Sequence, residues 1–360
     1  MCLAMLQATF AFAVDYVCVK NGSFRKSANS QDPLYLIGLN YPTAVTSIVK
    51  LDHLSDGVVK RNIELLHAEG INLVRFDFPL IMSVERKQTD EVKAYNDSLL
   101  VGLGLVLSEL EKKGMYAIIH LNFSAQNNSS VSSYCVDNYL KLLKQTIESK
   151  KGLKRKTTAI SNAIFAWEIA DFYELGVETE NRVEDYTKTV TTIKNVDPNH
   201  LVSVSCNSEC MSEADLLQFE ALLSISNVDY LNMRLLPLEW KWSNTSSLYM
   251  TLPNVYIKAK AYFESYLRMS QRLNKPLILS NVRYPRDRNH FEPHSPVDAR
   301  NSCYNFIMNE FKQGKENTSP FSIAIFGDFT DETENHVPMA IYGSDKTTFK
   351  ILVNKLIQNK

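Results

Sequence analysis

Apolar residues are grouped in short runs along the chain, and most runs end in polar or acidic positions. The runs are rich in β-branched and aromatic side chains, which is typical of strands buried on both faces of a parallel sheet. Eight runs predict eight strands, at residues 34–42, 73–79, 115–122, 164–173, 201–206, 228–236, 277–283 and 321–329. A shorter run at residues 15–20 predicts a separate strand near the N-terminus.

Between these runs, apolar residues recur at the three- and four-residue spacing of a helix that buries one face. The segments predicted as helices are residues 56–69, 96–113, 134–150, 178–195, 214–224, 255–273, 296–313 and 348–358. Strands that alternate with helices in this way predict a single-domain α/β fold, a closed (β/α)8 TIM barrel. An open doubly wound sheet is disfavoured, because the turn at residues 39–42 lacks a glycine-rich phosphate-binding sequence.

Length and composition agree with this fold and exclude some partners. The 360 residues fit one barrel of about 250 residues with insertions. A net charge of −1 gives no electrostatic reason to expect nucleic acid or an anionic membrane as a partner. No run of 18 apolar residues follows the N-terminus, so we expect no membrane-spanning helix.

The N-terminus and the sequons predict secretion. Residues 1–13 are apolar and end in A-F-A, a small-x-small pattern that resembles a signal-peptide cleavage site, although a basic start is missing. We interpret them as a signal-peptide remnant that precedes a barrel at residues 14–360; a buried N-terminal strand or helix is the alternative. Candidate N-glycosylation sites of the form N-x-S/T occur at Asn21, Asn96, Asn122, Asn127, Asn128, Asn244 and Asn317.

The cysteines leave their pairing open. Removal of the leader with Cys2 leaves an odd number of cysteines, which implies one free or intermolecular thiol in a secreted chain. These are Cys18, Cys135, Cys206, Cys210 and Cys303. Cys206 and Cys210 are close enough in sequence for a local disulfide, and no histidine lies near them at zinc-binding spacing. We expect no metal and no cofactor.

The fourth predicted strand carries the most informative motif, I-F-A-W-E-I-A-D-F-Y at residues 164–173. The chemistry of a β/α-barrel lies where its strands end, so the acidic end of this run belongs at the mouth. The run resembles the fourth strand of endo-β-1,4-mannanases of glycoside hydrolase family 5, whose pattern is W-E-x-A-N-E-P. Trp167, Glu168 and Ala170 match that pattern, Asp171 replaces its Asn, and Phe172 stands at the catalytic acid/base Glu.

Further segments resemble the same family in the same order. They are G-L-N-Y-P at 38–42, N-L-V-R at 72–75, I-K-N-V-D-P-N-H-L-V-S at 193–203, Y-P-R-D at 284–287 with H-S-P-V-D-A-R-N-S-C-Y at 294–304, and I-Y-G-S-D-K-T-T at 341–348. The resemblance covers nearly the whole chain. It implies the barrel fold, and it implies that Arg75 is the arginine that supports the nucleophile.

The same resemblance implies that the reactive groups have been replaced. A retaining glycosidase needs a nucleophilic carboxylate and an acid/base carboxyl group about 5–5.5 Å apart. The nucleophile position is Asn281, followed by Arg283 in place of Gly. On the sixth strand Arg234 replaces a His and Leu236 replaces a Tyr, and on the eighth strand Phe326 replaces the Trp that forms the floor of the sugar site.

We therefore expect a secreted mannanase-like pseudoenzyme that binds carbohydrate or acts as a structural or interaction protein. Its partner would be a glycan such as a β-mannan-like polysaccharide, or an extracellular protein. The alternative is an active glycoside hydrolase that uses non-standard acidic residues. The candidate cleft residues are Arg75, Asp171, Glu174, Arg234, Trp240, Trp242, Arg283, Phe326 and Asp328.

Each cleft candidate also has an ordinary structural interpretation. Arg75 could form an ion pair with Asp77 or Asp171, and Asp328 could form one with Arg234 or Arg283. Asp171 and Glu174 could be a displaced acid pair or a solvated loop. Trp240 and Trp242 could stack on a sugar or anchor the loop by packing. The histidines, His120 among them, are interpreted as structural because none has triad or metal spacing.

Overall fold

The computed structural model describes residues 16–27, 29–50, 57–82, 90–125, 133–153, 156–169, 182–205, 213–287, 292–313, 321–330 and 339–357. The proposed leader at residues 1–13 lies outside this described part.

The described residues form eleven strands. They are β1 (Cys18–Lys20), β2 (Ser23–Arg25), β3 (Leu36–Asn40), β4 (Leu73–Met82), β5 (Tyr116–Ala125), β6 (Ile164–Ile169), β7 (Leu201–Val204), β8 (Leu231–Leu235), β9 (Leu277–Val282), β10 (Phe321–Phe329) and β11 (Ala340–Ile341). Strands β3 to β10 correspond one by one to the eight predicted runs. The hairpin partner β2 and the two-residue β11 were not predicted, because such short strands carry too little pattern.

The eight long strands are parallel and follow the order β7-β6-β5-β4-β3-β10-β9-β8. The two end strands approach each other, where Ser203 Oγ donates to the Tyr230 carbonyl at 2.7 Å and the Asp229 amide donates to the Val202 carbonyl at 2.8 Å. The sheet is therefore a nearly closed barrel, and the predicted single-domain (β/α)8 fold is confirmed.

Helices lie between the strands along the chain. They are α1 (Thr46–Lys50), α2 (Gly57–Ala68), α3 (Asp90–Lys113), α4 (Ser133–Glu148), α5 (Arg182–Val196), α6 (Glu213–Leu223), α7 (Leu248–Leu273), α8 (Asp298–Gln313) and α9 (Lys346–Ile357). Helix α3 is longer than predicted because it starts at the acidic pair Asp90 and Glu91, which the helix dipole favours. No described helix is long and apolar enough to cross a membrane.

The hairpin β1–β2 closes the barrel at the end where the strands begin. Its turn is Asn21-Gly22, both with positive φ, which is the sequence that tight two-residue hairpins prefer. Phe24 of this hairpin contacts Phe165 and Tyr230, with ring centroids 5.3 and 5.7 Å apart. This hairpin does not cover the opposite end, where the strands finish and where β/α-barrels carry their sites.

Two retained sequence motifs have structural roles in the fold. In the D-P-N-H segment, Asp197 accepts hydrogen bonds from Trp167 Nε1 at 2.8 Å and interacts with His200 Nδ1 at 2.7 Å. Near the C-terminus, Asp345 pairs with Arg286 at 2.6 Å and with Arg300 at 3.0 Å. The second network joins the segments before and within α8 to the start of α9.

The cysteines and candidate glycosylation sites within the described residues differ in their exposure to solvent. Cys18 and Cys303 are free thiols, and Cys303 is buried; Cys206 and Cys210 lie outside the described residues. Asn21, Asn122 and Asn244 are exposed, whereas Asn96 is buried within α3, which argues against its glycosylation in the folded chain. Asn127, Asn128 and Asn317 lie outside the described part.

Candidate functional site

Polar side chains from neighbouring strands meet at the C-terminal end of the barrel. The strand registers align Asn40 with Arg75, Asp77 with His120, and His120 with Glu168. On the other side, Arg234 aligns with Asn281 and Asp328 aligns with Asn40. We call this set the mouth cluster; its members are Asn40, Arg75, Asp77, His120, Glu168, Ser205, Arg234, Asn281, Arg283 and Asp328.

A buried ion pair between Arg75 and Glu168 lies at the centre of the mouth cluster. Arg75 Nε donates to Glu168 Oε1 at 3.0 Å, and Nη2 contacts the same oxygen. Arg75 Nη1 also donates to Asn40 Oδ1 at 3.3 Å. Glu168 is fully buried, and its second oxygen, Oε2, has no hydrogen-bond partner among the described residues. Arg75 therefore pairs with Glu168 rather than with Asp77, whose charge acts on it without a direct contact. Asp171, the other expected partner, lies outside the described residues.

His120 connects two other members of the cluster. Its Nδ1 lies 2.8 Å from Asp77 Oδ1, and its Nε2 lies 3.3 Å from Ser205 Oγ. The Nε2 atom is also 3.8 Å from Glu168 Oε1. These contacts place His120 between the partly buried carboxylate of Asp77 and the buried hydroxyl group of Ser205.

Asn281 is held by an amide–amide hydrogen bond. Asn40 Nδ2 donates to Asn281 Oδ1 at 2.8 Å and to the Gly327 carbonyl at 2.8 Å. Gly327 has a φ of +41°, and a Cβ atom at this position would lie 2.3 Å from Ile341. Only glycine fits there without rearrangement, so the backbone turn that presents this carbonyl depends on residue 327.

Arg283 and Asp328 form the rim of the mouth. Arg283 Nη2 lies 3.0 Å from Asp328 Oδ1, and its Nη1 lies 3.7 Å from Glu239. The predicted pairing of Asp328 with Arg283 is thus observed. Arg234 lies deeper in the mouth, where burial and the nearby charge of Arg75 lower its pKa to about 10.

The charges of the cluster shift the pKa values of its acids in opposite directions. Burial alone would raise the pKa of Glu168, but Arg75 and His120 reverse this and hold it below its ordinary value. Burial alone would likewise raise the pKa of Asp77, but the hydrogen bond and charge of His120, together with the charges of Arg75 and Arg234, lower it. In contrast, burial raises the pKa of Asp328 despite its pairing with Arg283. Burial and the charge of Arg75 lower the pKa of His120, which favours the neutral imidazole.

Comparison with known proteins identifies the barrel. The family model described as glycoside hydrolase family 5 β-mannosidase-like matches residues 123–336, which is more than half of the chain. The chain belongs to this family. No curated protein sequence matches it.

Solved structures of family 5 proteins share the fold of this chain. The family 5 mannosidase of Rhizomucor miehei has a TM-score of 0.79 and 16% identity, over 96% of this chain and 98% of its own. The endo-1,4-β-mannanase of the same organism has a TM-score of 0.66 and 14% identity, over 96% and 100%. The endo-β-1,4-mannanase of Thermotoga petrophila has a TM-score of 0.62 and 16% identity, over 90% and 77%.

Two aromatic residues that were predicted to line the sugar cleft, Phe326 and Trp242, are packed in the core of this family 5 barrel. Phe326 is buried on the outer side of β10, where its ring lies 5.0 Å from that of Tyr304 on α8. It does not form the floor of a sugar site. Trp242 is also buried, and its ring packs against Trp240 and Tyr262 at 5.0 and 5.9 Å. The packing interpretation therefore holds for Trp242, while Trp240 is only partly buried.

Some residues lie outside the described part, and others were missed in the sequence. Phe172, Asp171 and Glu174 fall in the segment that follows β6, which is not described. Sequence reasoning did not select Asp77, Glu168, Asn40 or Ser205, and it interpreted His120 as structural. Their alternating spacing near strand ends was the available signal, because residues two apart on a strand share one face. Among the described residues, no group of three histidine, cysteine or acidic side chains is arranged to hold a metal ion.

Proposed function

We propose that this family 5 barrel binds a β-mannoside-type glycan at its mouth without hydrolysing it. The observation that carries the proposal is Asn281, an amide at the position that the resemblance assigns to the nucleophile, with its oxygen engaged by Asn40. An amide does not form the glycosyl ester that a retaining mechanism requires. Phe172, at the acid/base position, cannot donate a proton.

The mouth still offers groups suited to sugar hydroxyls. Arg283, Asp328 and Glu239 are partly exposed at the rim and present both donors and acceptors. A small number of positioned polar groups is the usual basis of orientation in a ligand site. The R. miehei mannosidase has been crystallised as a variant with mannosyl-fructose, which makes a neutral mannoside the natural first ligand for this chain.

Secretion belongs to the same proposal. Asn21, Asn122 and Asn244 are exposed and so are open to glycosylation. An extracellular protein is the other class of partner that a non-catalytic barrel of this kind could bind at the mouth. A chain that binds mannan but no extracellular protein has a glycan as its partner, and the reverse result indicates a protein partner.

The test combines hydrolysis with binding. The purified chain should release no sugar above background from β-1,4-mannan, glucomannan or cellulose oligosaccharides, and calorimetry should detect binding of mannooligosaccharides. Arg283→Gln should weaken that binding at least several-fold, whereas Arg268→Gln, an exposed arginine on α7, should not. Hydrolysis by the wild-type chain would overturn the proposed lack of catalysis, and equal binding by both variants would remove the mouth as the site.

The alternative of an active hydrolase with non-standard acids has one supporting observation. Asp328 has a raised pKa while Asp77 has a lowered one, and such a divergence is what an acid and its ionised partner need. If this alternative holds, the wild-type chain hydrolyses mannan and Asp328→Asn abolishes the activity. Loss of hydrolysis in Asp328→Asn can be distinguished from loss of glycan binding, because Arg283 and Glu239 still offer polar groups at the rim in this variant.

A further inference from the structure

Ser205, His120 and Asp77 of the mouth cluster contact one another in the order expected of a nucleophile, a general base and an acid that orients the base. Ser205 Oγ lies 3.3 Å from His120 Nε2, and His120 Nδ1 lies 2.8 Å from Asp77 Oδ1. The two contacts use opposite nitrogens of one imidazole. This is the arrangement by which a triad is recognised, irrespective of fold or order in the sequence.

We propose that Ser205, His120 and Asp77 form an acyl-transfer site that hydrolyses esters of short-chain carboxylic acids. This activity is independent of the glycosidase positions Phe172 and Asn281, and it goes beyond glycan binding. Ser205 is the nucleophile, His120 the general base and Asp77 the positioning residue that fixes the tautomer of the imidazole.

The environment of His120 suits the role of a base. Burial and the charge of Arg75 favour the neutral ring, which has one nitrogen free to accept a proton. With Nδ1–H donated to Asp77, the lone pair of Nε2 faces Ser205. In the resting state the Ser205 hydroxyl group also lies 3.3 Å from the Ile169 carbonyl oxygen, so it has two alternative acceptors.

The reaction balances with water as the only co-substrate. Ser205 Oγ forms a bond to the acyl carbon while its proton passes to His120 Nε2, and the alcohol leaves with that proton. Water then attacks the acyl-serine, gives its proton to His120 and releases the carboxylic acid as the serine is restored. The positive charge of Arg234 acts on both Asp77 and Glu168, and in the same mouth it would favour the negative charge that develops on the substrate oxygen.

Burial limits the size of the substrate. Ser205 is only 1% exposed, whereas the Asp77 side chain is 34% exposed. Ser205 is therefore much less accessible than Asp77, and a small acyl group would reach it more readily than a large one. An acetyl group fits this description better than a longer acyl chain, so acetate esters should react faster than butyrate esters.

The experiment uses the full chain, a small organophosphate fluoride and p-nitrophenyl acetate. We expect covalent labelling of Ser205, located by peptide mass spectrometry, and ester hydrolysis that falls by about 100-fold or more in Ser205→Ala. Asp77→Asn should also lower the rate while the chain stays folded. Ser203→Ala is the matched control, because Ser203 is a buried serine on β7, two residues before Ser205, and it donates to the Tyr230 carbonyl rather than to His120.

Two results would overturn the inference. One is labelling or hydrolysis in the wild-type chain that is no greater than in Ser205→Ala. The other is labelling on a different residue. In either case the two contacts of His120 are a structural hydrogen-bond network, and a melting temperature lowered in Ser205→Ala would support that interpretation. The glycan-binding proposal is unaffected by either result, since its variants and ligands are different.

Discussion

Asn40 donates a 2.8 Å hydrogen bond to the side-chain oxygen of Asn281, so two amides face each other where the family resemblance places a catalytic carboxylate. The same Asn40 nitrogen reaches the Gly327 carbonyl at 2.8 Å. One side chain on β3 thereby connects β9 and β10. Asn40 also accepts from Arg75, which extends the connection to the ion pair with Glu168. Asn281 thus belongs to a connected hydrogen-bond network that spans the mouth.

Loss of the Asn40 amide should destabilise the fold more than a change at Asn281. Asn40→Leu leaves the Asn281 oxygen and the Gly327 carbonyl unpaired in a buried place, which costs about 1–3 kcal/mol per group. Asn281→Asp keeps the acceptor and should cost less. Urea unfolding measures both, with Asn305→Leu on the exposed face of α8 as the control. A smaller cost for Asn40→Leu than for the control would contradict the bridging role.

Introducing carboxyl groups at both positions that the resemblance assigns to catalysis tests whether the barrel supports glycosidase chemistry. Phe172→Glu combined with Asn281→Glu should gain measurable hydrolysis of β-mannosides, because each group alone completes only half of a retaining mechanism. The gain should be small, since Arg234 and Leu236 stand where the family resemblance implies a supporting His and Tyr. Each single variant serves as the control. A single variant as active as the double would show that the two positions were wrongly assigned.

The order of strands and helices could be predicted from the sequence, while the direction of individual side chains could not. Apolar runs and helical periods carry the order, so β3 to β10 appear where expected. The site depends on which face a residue occupies, and a shift of one position reverses it. Phe326 and Asp328 on β10 illustrate this: the bulge and the turn at Gly327 direct the ring to α8 and the carboxylate to Arg283.

The partner of Arg75 shows a second limit of sequence reasoning. The nearest acid in sequence is Asp77, but the cross-strand register brings Glu168 of β6 to the guanidinium group. Register depends on long-range pairing through β5, which no local pattern encodes. Asp77 is consequently left for His120, and that pairing produces the contact with Ser205.

The Arg75–Glu168 pair should show strong energetic coupling. Arg75→Met removes one partner and leaves a buried carboxylate, at a cost of about 3–5 kcal/mol. The double change Arg75→Met/Glu168→Leu should cost less than the two single changes combined, because no charge is left unpaired. A double-mutant cycle by urea unfolding measures the difference. Strict additivity of the two single effects would show that the pair does not interact.

Stability should fall as the pH is lowered below about 6.5, the ordinary pKa of histidine. His120 has a lowered pKa in the folded chain, so in this range the unfolded state binds the proton first. The free energy of unfolding then decreases until the folded His120 is also protonated. Asp77 and Glu168, with lowered pKa values, add a second loss at more acidic pH as their ionic contacts are removed.

The histidine contribution can be isolated by substitution. His120→Gln should flatten the dependence of the melting temperature on pH just below 6.5, whereas His67→Gln, an exposed residue on α2, should not. A wild-type slope that survives in His120→Gln would assign the effect to another group.

The ion pairs of Asp345 with Arg286 and Arg300 should contribute strongly to the stability of the fold. Arg286 and Arg300 are fully buried, and Asp345 is their shared carboxylate partner. Burial alone would raise the pKa of Asp345, but hydrogen bonds from Arg286 and the charge of Arg300 lower it. Asp345→Asn should cost about 3–5 kcal/mol, since two buried cations lose their counter-charge. Asp298→Asn, an exposed acid at the start of α8, should have little effect on the melting temperature.

Trp242 should be a packing anchor rather than a sugar platform. It is 1% exposed and packs against Trp240 and Tyr262, and Lys258 Nζ lies 5.7 Å from its ring centroid. Trp242→Ala should therefore lower the free energy of unfolding by about 3–5 kcal/mol, and Trp242→Phe by less. Trp240→Ala should cost less than Trp242→Ala, because Trp240 is only partly buried.

Mannooligosaccharide binding, measured well below the unfolding transition, should be the same in Trp242→Phe and the wild-type chain. If Trp242→Ala instead loses binding at an unchanged melting temperature, the ring contacts sugar in solution and the packing interpretation is wrong.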